Sequence, residues 1–282
     1  MAKEFDVCVI GSGPGGYVAA IRASQLGFKT AIVEKRHLGG VCLNIGCIPT
    51  KALLRSAEVM ESIQHADDYG ISVKDVKADF GAMVKRSRGV ANKMSKGVQF
   101  LMKANKIDVF MGTGVFKSKS ELAVNDEKCN QSESIKAKHF IIATGARPRQ
   151  LPNLEIDGEM IIDSEKAMTM EKQPKKMVII GAGAIGVEFA YFYHTLGTEV
   201  TIVELQKTLV PVEDQDVGKE LGKIYKKKGM NLMLESTVEK VEKKGSGVKV
   251  TVKTKKGEEV IEADVVLTAV GVTGNVEGLG LE

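Results

Sequence analysis

One pattern occurs twice in this sequence and constrains the fold more than any other feature. A short apolar run leads into the glycines of G-S-G-P-G-G (11–16), and a second such run leads into G-A-G-A-I-G (181–186). Each copy continues with a helical pattern and another apolar run, which ends on an acid, Glu34 or Glu204, 23 residues after the first glycine. Strand, glycine-rich turn, helix and acid-tipped strand are typical of Rossmann-type dinucleotide-binding units. We therefore predict an α/β fold with two Rossmann-like dinucleotide-binding domains.

The residue types in both copies suit a bound nucleotide. The first glycine allows a tight turn, the second lets the backbone approach a pyrophosphate, and the third lets the helix pack on the strand. The amides at the helix N-terminus can then hold the phosphates. Glu34 and Glu204 can accept hydrogen bonds from ribose hydroxyls and would repel a 2′-phosphate, so both sites favour a nucleotide without one. Two tight turns without a ligand are the alternative interpretation.

Composition narrows the class of protein. A length of 282 residues is enough for about two domains, and 43% hydrophobic residues can fill their cores. No apolar run reaches the roughly 18–20 residues of a membrane span. A net charge of +4 with 5% aromatic residues does not favour nucleic-acid binding. Four cysteines are too few for a disulfide scaffold, and we expect a cytoplasmic protein.

Two of the cysteines lie in an unusual segment, G-G-V-C-L-N-I-G-C-I-P-T-K (39–51). Cys42 and Cys47 can close a small loop if Asn44 and Gly46 permit the turn. Pro49 suits the first turn of a helix, which would place Cys47 near a helix N-terminus. The helix dipole and the free amides there favour the thiolate and its exchange chemistry. The segment therefore indicates a redox-active dithiol.

Other interpretations of the cysteines are weaker. A zinc site needs four ligands, and neither Cys8 nor Cys129 offers a partner pair. A structural disulfide is disfavoured in a reducing cytosol. Two inert thiols remain an alternative, although the flanking glycines and Pro49 argue against it.

Hydrophobic periodicity outside these motifs predicts further helices and strands. Helical patterns cover residues 49–66 and 80–103, and strand patterns cover residues 108–116 and 134–143. Val248, Val250 and Val252 alternate with polar residues and predict a half-exposed strand, and residues 263–270 predict a last apolar strand.

Taken together, these motifs resemble the FAD-dependent pyridine nucleotide–disulfide oxidoreductase family, and residues 39–54 resemble its dihydrolipoamide-oxidising branch. The likeness covers the whole chain. It implies an FAD-binding domain at residues 1–147, an NAD-binding domain at 148–272, and a return toward the first domain at 273–282. It also implies that electrons pass from dihydrolipoamide, free or on a lipoyl-bearing protein, through the cysteines and FAD to NAD. The enzyme would then serve a 2-oxo acid dehydrogenase complex.

The resemblance also implies roles for individual residues. Cys42 would exchange with dihydrolipoamide, Cys47 would face the flavin, and Glu188 would pair with Lys51 near the nicotinamide. The implied FAD contacts are Gly11, Gly13, Gly16, Glu34, Lys35, Gly40, Lys51, Gly114, Ala143, Thr144 and Gly145. The implied NAD contacts are Gly181, Gly183, Gly186, Glu188, Glu204, Val238 and Gly271.

Two other branches of the family fit this sequence less well, and the sequence departs from the family pattern in one respect. Glutathione-type reductases use NADP and carry arginines after the second strand, where this chain has Glu204-Leu205-Gln206-Lys207. Mercuric reductases rely on a further cysteine pair near the C-terminus that this chain does not show. We expect the family's C-terminal dimerisation domain, which forms the homodimer and carries a His-Pro motif and a Gly-Asp pair, to be absent. A nucleotide-binding module or an NADH diaphorase therefore stays an alternative.

Overall fold

The computed structural model describes residues 2–126, 128 and 130–282, so Cys129 lies outside the described residues. The helices are α1 (Pro14–Gln25), α2 (Gly40–Ile45), α3 (Cys47–Gln64), α4 (Phe80–Ala104), α5 (Ser164–Ala167), α6 (Ala184–Thr195) and α7 (Gln215–Lys227). The first strands are β1 (Lys3–Ile10), β2 (Thr30–Glu34), β3 (Asp108–Met111), β4 (Thr113–Ser118), β5 (Glu121–Asn125), β6 (Gln131–Ile142), β7 (Ala146–Pro148) and β8 (Ile161–Ile162). The others are β9 (Lys176–Ile180), β10 (Glu199–Val203), β11 (Asn231–Met233), β12 (Thr237–Lys244), β13 (Gly247–Thr254), β14 (Gly257–Ala263), β15 (Val265–Thr268) and β16 (Val272–Gly274).

The chain divides into two compact units. Unit 1 contains residues 1–49, 88–147 and 273–282, and unit 2 contains residues 50–87 and 148–272. The chain thus passes between units after Arg147 and after Val272, and also at two positions inside the predicted first domain. Residues 50–87 belong to unit 2, where Phe80 packs on the rings of Phe192 and Tyr193.

Unit 1 is built on a six-stranded sheet in the order β3-β2-β1-β6-β5-β4. Strands β3, β2, β1 and β6 are parallel, and β5 and β4 add to them antiparallel. Both faces of β1 are buried: Cys8 and Ile10 belong to one apolar cluster, and Val7 and Val9 belong to the other. Burial on both faces is why the strand before the first glycine loop is a continuous apolar run.

Unit 2 contains a five-stranded parallel sheet in the order β11-β10-β9-β15-β8, and a separate antiparallel sheet of β12, β13 and β14. Strand β13 is the middle strand of this sheet, paired with β12 on one side and β14 on the other. Its residues Val248, Val250 and Val252 are buried, whereas its residue Lys253 is exposed. The predicted half-exposed strand is therefore confirmed.

The structure confirms two Rossmann-like α/β units and corrects several local predictions. Residues 40–45, for which no element was predicted, form helix α2, and α3 begins at Cys47, two residues before the predicted start at residue 49. Strand β5 and helix α7 had no counterpart in the sequence interpretation. Within the described residues, none of the helices is both long and apolar enough to cross a bilayer.

Candidate functional site

The first and third glycines of each loop are required by the turn itself. Gly11 has φ +97°, and a Cβ on it would lie 2.2 Å from the carbonyl oxygen of Ala143. A Cβ on Gly16 would lie 1.8 Å from the carbonyl oxygen of Gly11. In the second loop, Gly181 has φ +98°, and a Cβ on Gly186 would lie 2.0 Å from the oxygen of Gly181. Any side chain at these positions would break the strand-to-helix turn.

The middle glycines are not explained in the same way. Gly13 and Gly183 are the N-caps of α1 and α6, with φ of −64° and −67°, which other residues adopt readily. A Cβ on either would have no protein atom within 4 Å. Each position therefore leaves open space in front of a helix N-terminus, where backbone N–H groups can bind phosphate. This cradle fits the pyrophosphate of a dinucleotide.

The two predicted acids are buried, and each is held by its own glycine loop. Glu34 accepts hydrogen bonds from the amide of Ser12 at 2.9 Å, from the Ser12 hydroxyl at 2.6 Å, and from the amide of Arg36 at 2.8 Å. Glu204 accepts from the amides of Ala182 at 2.7 Å and Gln206 at 2.8 Å. Charge-assisted bonds of this kind fix a carboxylate in one orientation. Spacing alone could not show these amide partners.

Unit 2 contains a cleft of about 670 Å³ beside its glycine loop. Five predicted nucleotide contacts line it: Gly181, Gly183, Glu204, Val238 and Gly271. Its volume falls within the usual range of small-molecule sites. The buried Gly186 lies beneath the turn instead of lining the cleft.

In unit 1, the segment before the cysteines packs directly on the first glycine loop. The amide of Gly39 donates to the carbonyl oxygen of Ser12 at 3.0 Å. Gly40 has φ +59°, and a Cβ on it would lie 2.6 Å from the Cα of Gly13. Helix α2 therefore begins against the open cradle, and Cys42 follows two residues later.

The Ala143–Gly145 turn closes on the same loop and is fixed by one asparagine. The amide of Ala143 donates to the oxygen of Ile10 at 2.8 Å. The Thr144 hydroxyl donates to the backbone carbonyl oxygen of Asn275 at 2.5 Å. In return, the side-chain Nδ2 of Asn275 donates to the carbonyl oxygen of Thr144 at 3.0 Å, and the backbone amide of Asn275 donates to the carbonyl oxygen of Gly145 at 2.9 Å. Sequence reasoning missed Asn275.

Two further predicted FAD contacts in unit 1 differ in their exposure. Lys35 is exposed directly after Glu34. Gly114 is buried on β4, where a Cβ would lie 3.1 Å from the side chain of Leu122. Packing inside the sheet is therefore enough to explain the glycine at position 114.

The cysteines lie on consecutive helices. Cys42 is half-buried in α2, and the exposed Cys47 is the first residue of α3. Between them, a Cβ on Gly46 would lie 2.9 Å from the oxygen of Val41 and 3.2 Å from the Cα of Cys42. Only glycine fits there, because the chain passes directly over Cys42 before it reaches Cys47.

Asn44 closes the cysteine segment on itself. Its Nδ2 donates to the carbonyl oxygens of Leu38 at 3.1 Å and Gly40 at 2.9 Å. Asparagine at this position therefore holds together the turn at which helix α2 begins.

The predicted lysine–glutamate pair is present in unit 2. The Nζ of Lys51 donates to Oε1 of Glu188, which lies on α6. The Lys51 side chain is 60% exposed and that of Glu188 is 26% exposed. An exposed ion pair contributes little to stability. The pair is therefore better explained by the place in which it holds the Lys51 ammonium than by a contribution to the stability of the fold.

The other described cysteine is not available for exchange. Cys8 is fully buried in β1, and burial raises the pKa of its thiol to about 12. The described residues also contain no group of three or more metal-ligating side chains arranged for a metal ion.

Comparison with known proteins agrees with this geometry. A sequence model of the family described as pyridine nucleotide-disulphide oxidoreductase matches residues 5–282. Among curated relatives, the dihydrolipoyl dehydrogenase of Rhizobium etli is 47% identical and that of Bacillus subtilis 40% identical, each over the whole of this chain. A leghemoglobin reductase of Vigna unguiculata is 43% identical over the whole chain. The chain spans 62%, 61% and 54% of these relatives.

Solved structures show the same likeness. LpdA from Mycobacterium tuberculosis superposes with a TM-score of 0.89 at 26% identity, covering 98% of this chain and 61% of that one. The Cu(II) complex of RclA, an HOCl-induced flavoprotein disulfide reductase from Escherichia coli, gives a TM-score of 0.83 at 26% identity, covering 98% and 58%.

Proposed function

Because the chain belongs to the pyridine nucleotide-disulphide oxidoreductase family, we propose that it takes part in FAD-dependent electron transfer from dihydrolipoamide to NAD. The observation that carries the proposal is the contact between helix α2 and the first glycine loop. Gly40 lies against Gly13, so the cysteine helix starts at the edge of an open phosphate cradle. A dithiol beside a dinucleotide site, with a second such site in the chain, is the arrangement this reaction needs.

The residues present fit both nucleotides. In unit 1, Gly11, Gly13, Gly16 and Glu34 would hold FAD, and Thr144 and Gly145 would close the site. In unit 2, Gly181, Gly183 and Glu204 would hold NAD in the cleft that Val238 and Gly271 also line. When bound, the flavin and the nicotinamide supply the electron and hydride chemistry, and the protein supplies position and electrostatics.

The thiol chemistry belongs to this chain's own residues. A thiolate of dihydrolipoamide attacks the sulfur of Cys42 in a Cys42–Cys47 disulfide, the S–S bond breaks, and Cys47 leaves as a thiolate. The second substrate thiolate then attacks the mixed disulfide, which releases lipoamide and the Cys42 thiolate. The substrate loses two electrons and two protons, and the cysteine pair gains the electrons. Cys47 is the exposed first residue of α3, so solvent can reach the leaving sulfur.

Lys51 and Glu188 complete the proposed machinery. An ammonium held by a carboxylate keeps one orientation, so it can stabilise negative charge close to it. We assign Lys51 this role and Glu188 the role of positioning Lys51 near the nicotinamide.

Relatives suggest the setting of the reaction. Dihydrolipoyl dehydrogenases act on dihydrolipoyl groups, and we assign this chain the same substrate class, on a 2-oxo acid dehydrogenase complex or as free dihydrolipoamide, in a reducing compartment such as the cytoplasm. The chain spans about 60% of the length of those relatives. For that reason we state the homodimer, which is expected for the full-length family member, as part of the proposal.

The test is formation of NADH from dihydrolipoamide and NAD by FAD-loaded protein, followed by absorbance. We expect Cys42→Ser and Cys47→Ser to lower the rate by at least about three orders of magnitude. Cys8→Ala, a change at the inert and fully buried thiol that adds no polar group to the core, should leave the rate within about twofold. Oxidation of NADH by a dye with no response to dihydrolipoamide would contradict the assigned substrate and support a diaphorase.

A further inference from the structure

The segment that carries Cys42 is anchored at two points by helix α4, in unit 1. Arg88 donates from a guanidinium nitrogen to the carbonyl oxygen of Asn44 at 2.7 Å. Seven residues later, Ser95 donates from its hydroxyl to the carbonyl oxygen of Leu38 at 2.8 Å. A spacing of seven puts both donors on one face of a helix, two turns apart. The two bonded carbonyls flank Cys42 in sequence.

The two anchors differ in strength. Ser95 is buried, and its bond is between neutral groups. The bond from Arg88 is charge-assisted, and such bonds are about twice as strong as neutral ones. It also falls on one of the last carbonyl groups of α2, which have no partner inside the helix. Arg88 therefore fixes the end of α2 that leads through Gly46 into Cys47.

We infer that Arg88 is a positioning residue for the cysteine pair: by holding the carbonyl of Asn44, it keeps Cys42 and Cys47 close enough for the disulfide to form. The inference rests on the proposed function, since it concerns the same dithiol. Its physical basis is effective concentration. Two thiols held in place form an intramolecular disulfide more readily than two thiols on a mobile segment, because less conformational freedom is lost.

A matched control lies on the same helix. Arg86 donates from a guanidinium nitrogen to the carbonyl oxygen of Ala52 at 2.8 Å, within unit 2 and on helix α3 instead of α2. Arg88→Met and Arg86→Met thus remove the same kind of bond from the same helix. They differ in which segment they release.

The experiment equilibrates the purified chain in buffers of reduced and oxidised glutathione. In each, two Cys–SH groups lose two electrons and two protons to oxidised glutathione, giving one protein S–S bond and two glutathione thiols. Alkylation and mass spectrometry then measure the fraction of Cys42–Cys47 disulfide. We expect Arg88→Met to lower the equilibrium constant for disulfide formation by at least about fivefold. Arg86→Met should leave it within about twofold, and Arg88→Lys should restore part of the loss.

Ser95→Ala provides a second variant, which should affect folding less than Arg88→Met does. It should also lower the equilibrium constant for disulfide formation, but by less than Arg88→Met. Thermal unfolding of all variants separates a shift in the thiol equilibrium from a loss of fold. Equal constants for Arg88→Met and Arg86→Met, with an intact disulfide in the unmodified chain, would overturn the inference and leave the proposed function standing. Failure of the unmodified chain to form the disulfide in any buffer would overturn both.

Discussion

At the scale of single residues, the glycines of one motif do different things. Gly181 and Gly186 are required by the backbone of the turn, because a Cβ on either would collide with a carbonyl oxygen. Gly183 meets no protein atom and has an ordinary φ. The fold therefore does not explain its lack of a side chain, which we attribute to the proposed nucleotide.

This difference predicts opposite outcomes for two neighbouring substitutions. Gly183→Ala should change the free energy of unfolding by less than about 1 kcal/mol and weaken NADH binding at least about tenfold. Gly181→Ala should destabilise the fold by at least about 1–2 kcal/mol, because alanine at φ +98° is strained. Calorimetry gives both quantities. Gly222→Ala on α7, where a Cβ would meet no protein atom within 4 Å, is the control and should leave NADH binding unchanged; equal NADH affinity in Gly183→Ala would contradict a ligand at this position.

The cysteines should separate by reactivity. With a thiol pKa of about 12 and full burial, Cys8 should be alkylated by iodoacetamide at pH 8 at least about a thousandfold more slowly than Cys42 or Cys47 of the reduced protein. Mass spectrometry of timed digests measures each site, and unfolding in urea should abolish the difference. Rapid labelling of Cys8 in the folded chain would show that β1 is not the closed core strand described here.

At the scale of elements, sequence periodicity predicted the long helices and the core strands but not the short or irregular pieces. Helix α2 has six residues, too few for a helical period to show. Helix α7 was missed because Gly218 interrupts its pattern, and a Cβ there would lie 2.3 Å from the oxygen of Leu209. The anchors of the cysteine segment, Arg88 and Ser95, follow Cys42 by more than 40 residues, and only the tertiary fold brings them together.

The stability of the turn at Asp157, which leads into β8, should depend on pH. Burial raises the pKa of Asp157, but the hydrogen bond from Lys243 and backbone amides that include Glu159 outweigh it, and the pKa falls to about 2. The turn leads into β8 at Ile161. A lowered pKa contributes stability that is complete above the unfolded value near 4 and is lost as pH falls through the folded value.

We therefore expect Asp157→Asn to lower the free energy of unfolding by about 1–2 kcal/mol at pH 7. The difference from the unmodified chain should shrink as pH falls from about 4 to about 2. Urea unfolding across this range measures it, with the exposed Asp67→Asn as the control. A difference that persists unchanged at pH 2 would show that the carboxylate is not what stabilises the turn.

At the scale of the whole molecule, the sequence repeat and the structural repeat coincide. In both copies an amide of the glycine loop donates to the acid at the end of the second strand, Ser12 to Glu34 and Ala182 to Glu204. The repeat could be read from the sequence because strand, glycines and acid are local and periodic. The membership of residues 50–87 in unit 2 could not, because it depends on packing such as that of Phe80 on Phe192.

The two nucleotide sites that we propose should be separable by substitution. Glu34→Gln should weaken FAD binding at least about fivefold through the loss of charge-assisted hydrogen bonds, and it should leave NADH affinity unchanged. Glu204→Gln should do the reverse, so each variant is the control of the other. Flavin fluorescence and NADH titration measure the two affinities. A loss of both affinities in either variant would contradict two independent sites.

The central claim is that the cysteine pair lies against a flavin bound at the first glycine loop. Its most direct test is the anaerobic visible spectrum of the FAD-loaded chain during titration with dihydrolipoamide. We predict a new long-wavelength absorption that reports a thiolate in contact with the flavin and that Cys47→Ser abolishes. A chain that takes up no flavin, or one whose spectrum stays unchanged while its cysteines become reduced, would contradict the account.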